Sequence, residues 1–242
     1  MALDISKIVQ KPLDDGQYFA EEHPKNQIVI HHTAGSSNPY NVVAGWNGNE
    51  SKVGTALLVA GKPVRSGDTF KDGEIVQCFS TKHWGYHLGV PSETFKKYDI
   101  PYKRLDKTSV GIELTNWGYV TKQPDGSFKN YVGGLVPNED VIDLGKEYRG
   151  HQYYHAYSDA QISSLKDILI YLCEKYNISK TYNESIWEMN QSALNGNSGI
   201  FSHTSFRTDK FDCFPQPSLI AMLKSLEVKP PIASKPTNTQ SA

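Results

Sequence analysis

The chain has 242 residues, of which 38% are hydrophobic and 21% charged, with a formal net charge of -1. That length and apolar content are enough for one well-filled core with elaborations. The near-zero charge excludes a general electrostatic pull toward nucleic acid or an anionic membrane, since either partner selects a basic patch or stripe.

Along the chain, residues 1–26 lack the basic start and apolar stretch of a secretory signal, and no later run approaches membrane-spanning length. The reading is an N-terminal extension on a protein synthesised in the cytoplasm without a signal peptide. Gln27 to His32 (QIVIHH) is short, apolar and β-branched, and turn-forming Gly35 to Pro39 follow it. It reads as a buried strand that delivers histidines to its C-terminal end. A short helix from Tyr40 to Trp46 is expected next, then a hairpin-like pair formed by TALLVAGKPV and EIVQCF. Ser109 to Leu114 (SVGIEL) reads as a further strand.

Asn116 to Ser158 is rich in Gly, Tyr and Asn without a long periodic segment, so it reads as an insertion with at most short hairpins and turns. Ser158 to Tyr176 carries the clearest helix signal: Ser158 and Gln161 form a capping box, and Ile162, Leu165, Ile168, Leu169 and Leu172 share a face. A closing helix is expected over residues 215–226, followed by a Pro, Ser and Thr tail over 227–242. The mixture predicts an α/β domain over residues 27–226, with a central mixed β-sheet flanked by helices. The three cysteines, Cys78, Cys173 and Cys213, are odd in number and far apart, and form no readable disulfide framework.

A catalytic zinc site takes about three protein ligands and leaves a fourth position for water. His31 at a strand end, His203 after the apolar pair Ile200 and Phe201, and Asp212 nine residues later are candidates from different elements. Glu113 lies among apolar strand neighbours, where a carboxylate is costly to bury, and Lys210 supplies a nearby cation.

The motifs IVIHHTAG, VGTALLVAGK, EIVQCF, HWGYHLG, SVGIEL, YSDAQISSL and SHTSFRTDKFD occur in this order from about residue 27 to 225. In that series the chain resembles the zinc-dependent N-acetylmuramoyl-L-alanine amidases, the family of phage endolysins, cytosolic muropeptide amidases and peptidoglycan recognition proteins. The resemblance implies one Zn2+ held by His31, His203 and Asp212, with Glu113 as general base and Lys210 steadying the oxyanion. His32 alternates to the other strand face and is the lesser choice as ligand. Cys213 is chemically able to replace Asp212, and spacing favours Asp212.

Thr55 departs from the family's frequent Tyr at its strand position, which shifts the acid-base work toward Glu113. His83, Trp84 and His87 suit the stacking and hydrogen bonding of a substrate groove, with Thr55 beside them. The implied partner is bacterial peptidoglycan, glycan plus stem peptide, cut by a monomer at the bond from the muramic-acid lactyl group to L-alanine. A phage endolysin acting on the wall after release is the favoured setting over a recycling enzyme. The rival reading is a peptidoglycan-binding module of the same fold without catalysis.

Overall fold

The computed structural model describes residues 3–227. The first half of the chain forms β1 (Val9–Gln10), β2 (Gln27–His32), α1 (Pro39–Asn47), β3 (Leu57–Val59), β4 (Ile75–Gln77), α2 (Ser92–Lys97), α3 (Leu105–Thr108) and β5 (Ser109–Leu114). The second half forms β6 (Val120–Lys122), β7 (Phe128–Asn130), β8 (Leu135–Val136), β9 (Val141–Tyr148), β10 (His151–His155), α4 (Asp159–Tyr176), α5 (Gln191–Leu194), β11 (Gly199–Ser202) and α6 (Pro217–Ser225).

Six strands make the central sheet in the order β1-β4-β3-β5-β2-β11. The β3–β4 pair is antiparallel and the other pairs are parallel, so the sheet is mixed. Strand β2 is buried at all six positions and β3 at all three. Continuous apolar runs of this kind belong to strands covered on both faces. In the parallel β2–β5 ladder His31 pairs with Glu113 and His32 with Leu114. Paired residues on adjacent strands share a face and neighbours along a strand alternate, so His31 and Glu113 stand together on one side of the sheet.

Helix α4 begins at Ser158, whose capping box with Gln161 satisfies two otherwise orphaned amides, and it stops where Asn177 takes the left-handed conformation. Its buried Ile162, Leu165, Ile168, Leu169 and Leu172 pack toward β3 and toward α6, which contributes Leu219, Met222 and Leu223. Pro39 and Pro217 open α1 and α6, positions where the missing amide hydrogen costs nothing. No helix among the described residues is long and apolar enough to cross a membrane.

Two differences from the sequence-based expectation have physical causes. Residues ahead of Gln27 do not stand apart: β1 extends the main sheet beside β4, and Leu13 joins the core. Two residues of strand carry too little periodicity to announce themselves. Strand β11 lies beside β2 as the last strand of the sheet. The insertion, expected to hold at most short hairpins and turns, contains a three-stranded sheet β6-β7-β8 as well as the hairpin β9-β10. Strand β9 is eight residues long and nowhere fully buried, so it lacks the apolar alternation by which strands are read. The tail read over 227–242 lies, apart from Glu227, outside the described residues.

Candidate active site

Three strand-end and turn positions converge at one edge of the central sheet. His31 is next to last in β2, His203 opens a 3-10 turn directly after the adjacent strand β11, and Asp212 arrives on the loop before α6. His31 Nδ1 lies 3.1 Å from His203 Nδ1 and 3.1 Å from Asp212 Oδ2, and His203 Nδ1 lies 3.0 Å from the same carboxylate oxygen. All three residues are buried, and they form a group with the donor atoms and spacing of a metal site.

The donor set fits zinc. Ligand bonds of about 2.0–2.1 Å at tetrahedral angles set donor atoms about 3.3 Å apart, close to the spacing of the two Nδ1 atoms and the carboxylate oxygen. Burial, reinforced by His203, pushes His31 down to about 4, which keeps the imidazole neutral with a lone pair to give. Burial disfavours charge on Asp212, yet its close contacts with His203 and His31 outweigh that penalty and hold the carboxyl well below the usual range. Two imidazoles and one carboxylate are a donor set used by hydrolytic zinc sites.

Glu113 stands beside His31 through the β2–β5 register. Its Oε2 is buried without a hydrogen-bond partner. Burial raises its pKa well above the ordinary carboxylate value, Asp212 adds to the rise, and Lys210 opposes it. A carboxyl so held is poised to take and return a proton. Lys210 is half-buried two residues before Asp212, and its charge acts on the Glu113 carboxyl.

Comparison with known families decides what kind of chain this is: the N-acetylmuramoyl-L-alanine amidase model matches residues 21–213. The chain belongs to that amidase family. Among solved structures, PlyL is 12% identical with a TM-score of 0.50, covering 91% of this chain and 99% of that one. The Staphylococcus aureus hydrolase AmiA, solved in complex with its ligand, is 11% identical with a TM-score of 0.51, covering 93% of this chain and 84% of that one. At such identities the likeness concerns the fold. No curated protein matches the chain.

Within this amidase fold the remaining expected site residues divide. His87 packs behind His31, with its Nδ1 2.9 Å from His31 Nε2. Trp84, expected on the substrate groove, is 3% exposed and stacks on Phe19 with ring centroids 3.8 Å apart. His83 stacks on Tyr18 with ring centroids 5.8 Å apart. Thr55 is 1% exposed and donates its hydroxyl to the Leu57 carbonyl at 3.0 Å, so it offers no surface to a substrate. The motif was legible as special, but aromatic and imidazole side chains look alike in sequence whether they line a groove or support it.

His32 turns to the opposite face, where Nδ1 meets the Tyr157 hydroxyl at 2.8 Å. Cys213 is buried beside the same hydroxyl, and burial pushes its thiol up, which suits an apolar role better than a thiolate ligand. The insertion contributes half-exposed Trp117, Tyr119 and Tyr131, and Tyr119 packs edge-on to Phe211 at 5.3 Å.

Proposed function

We propose that the chain is a zinc-dependent N-acetylmuramoyl-L-alanine amidase that hydrolyses the amide between the muramic-acid lactyl group and L-alanine of the peptidoglycan stem. The observation that carries this reading is the convergence of two imidazole Nδ1 atoms and one carboxylate oxygen beside the orphaned Glu113 carboxylate. His31, His203 and Asp212 would hold one zinc ion. When bound, the ion would supply Lewis acidity to the amide carbonyl and to the attacking water.

Glu113 takes a proton from that water and returns it to the departing amine of L-alanine, a shuttle that needs a carboxyl whose pKa has been raised toward the working pH. Lys210 reaches the cleft from the loop that carries Asp212 and balances the negative charge that develops on the attacked carbonyl oxygen. The half-exposed aromatic margin from Phe211 to Trp117 offers ring faces to the sugars of the glycan. In this reading the protein works as a monomer, as a phage endolysin made in the cytoplasm and acting on the wall after release.

The test is digestion of purified muropeptides with and without a chelator, then with zinc restored, the products being read by mass spectrometry. Zinc-dependent appearance of free stem peptides with an L-alanine amino terminus is the expected result. Wall binding with no cleavage under any metal condition would replace the enzyme with a recognition module.

A further inference from the structure

We infer that one dipeptide, His87-Leu88, is the positioning device for both metal-binding histidines, fixing each ring with its proton on Nε2 and its Nδ1 lone pair toward the metal. The inference rests on the zinc reading above and concerns residues that do not touch the substrate.

The proton assignments follow from a chain of hydrogen-bond partners that starts at a serine hydroxyl. The Ser109 hydroxyl donates to the Leu105 carbonyl at 2.8 Å, which uses its single hydrogen. Its oxygen, 2.9 Å from His87 Nε2, therefore accepts, and His87 carries its proton on Nε2. A neutral imidazole so protonated has a bare Nδ1, and that atom lies 2.9 Å from His31 Nε2. His31 must then donate from Nε2, which leaves its Nδ1 bare within the metal cluster. His203 reaches the same state by a shorter route, because its Nε2 lies 2.9 Å from the Leu88 carbonyl, a group that can only accept.

The dipeptide is itself anchored. Asp106 Oδ1 accepts the backbone amides of His87 at 2.9 Å and Leu88 at 3.0 Å. Strand β5 leaves room for the imidazole through Gly111, where an added Cβ would lie 3.1 Å from His87 Nδ1 and 2.7 Å from the Thr55 methyl. A glycine between Val110 and Ile112 in a buried strand is costly for the strand, and the Thr55 methyl and the His87 ring are what it accommodates. Groups that orient a metal-binding histidine through its second nitrogen are commonly a carboxylate, a carbonyl or a water; here His31 is oriented by a second histidine.

The deciding measurement is 15N-histidine NMR of the full chain, metal-free and zinc-loaded, at neutral pH. Protons on Nε2 of His31, His87 and His203, with His87 Nδ1 bare in both states, are expected. A proton on His87 Nδ1 in either state would overturn the relay, and this needs no variant to fold. Zinc affinity measured against a competing chelator gives an independent reading: His87→Leu and Gly111→Ala should each weaken binding by about 10- to 100-fold. Unchanged affinity in a folded His87→Leu protein would reject the positioning role. A wild-type chain that binds no zinc would instead reject the metal reading, while the metal-free spectrum would still report on the proton chain.

Discussion

The floor of the cleft and its rim are built on different terms. The floor is the central sheet, where His31 and Glu113 are fixed by a parallel register between two strands and by packing on both faces. The rim is the insertion, whose three-stranded sheet rests on a cluster of just three buried apolar residues, Val120, Phe128 and Val136. His31 and Glu113 sit where strand pairing fixes the backbone. In the proposed reading, the surface that would meet the polymer sits where a change costs little of the fold.

The sharpest break in this comparison is chemical. Asp212→Ala should abolish zinc retention and with it turnover, because two histidines alone do not complete the donor set. Glu113→Gln should leave zinc content intact and lower kcat by about 10²- to 10⁴-fold, the usual contribution of a positioned acid-base group. Metal analysis beside the kinetics separates the two variants. If Glu113→Gln retained full turnover, the proton shuttle would belong to another group.

A stability pair comes next. Ile112→Ala removes a fully buried side chain beside Glu113 and should cost about 2–5 kcal/mol of global stability in denaturant unfolding. Phe128→Ala empties the small rim cluster and should loosen the insertion first. Hydrogen exchange would then speed up across β6 to β8 while the amides of β2 and β5 remain protected. Equal loss of protection in both regions would mean that floor and rim unfold as one unit.

The same contrast explains what could be read from sequence. Strands β2 and β5 are legible because burial on both faces demands an apolar run, and the alternation that separates His31 from His32 follows from strand geometry. The Ser158 cap and the apolar face of α4 are legible for the same reason, since each is a local pattern with a physical purpose. The rim was legible as an insertion with at most short hairpins and turns, because β9 is nowhere fully buried and lacks an apolar alternation. The role of His87 escaped because the groups that define it are a backbone carbonyl, a serine hydroxyl and a space above Gly111. None of these leaves a periodic trace.

Where rim meets floor, His155 offers a pH test. It is 6% exposed, and burial pushes it down to about 4 from an ordinary value of 6.5. Its Nδ1 accepts the Trp117 amide at 3.4 Å, a bond that protonation would remove. With the folded value depressed, the unfolded chain binds the extra proton first. Stability is therefore lost as pH falls through the window from 6.5 to about 4 and levels off below it. At about 1.4 kcal/mol per pH unit, the most this residue can take away is about 3 kcal/mol. His155→Gln should flatten that part of the stability profile, and an unchanged slope would assign the acid sensitivity to other groups.

The smallest expected effect concerns a single tie between the two regions. The Tyr131 hydroxyl, on a side chain that is 52% exposed, donates to the Ala34 carbonyl at 2.8 Å, joining the β7–β8 turn to the loop just beyond His31. Tyr131→Phe keeps the ring and removes the donor, leaving a carbonyl that water can reach. A solvent-accessible neutral hydrogen bond contributes about 0.5–1.5 kcal/mol at most, so global stability should scarcely move. The local consequence is more telling: hydrogen exchange in the β7–β8 turn should accelerate while zinc affinity stays at the wild-type level, since His31, the proposed ligand nearest this tie in the chain, takes its position from the sheet. A loss of zinc affinity in Tyr131→Phe would show that the rim helps to hold the metal site and that the two regions are less independent than their cores suggest.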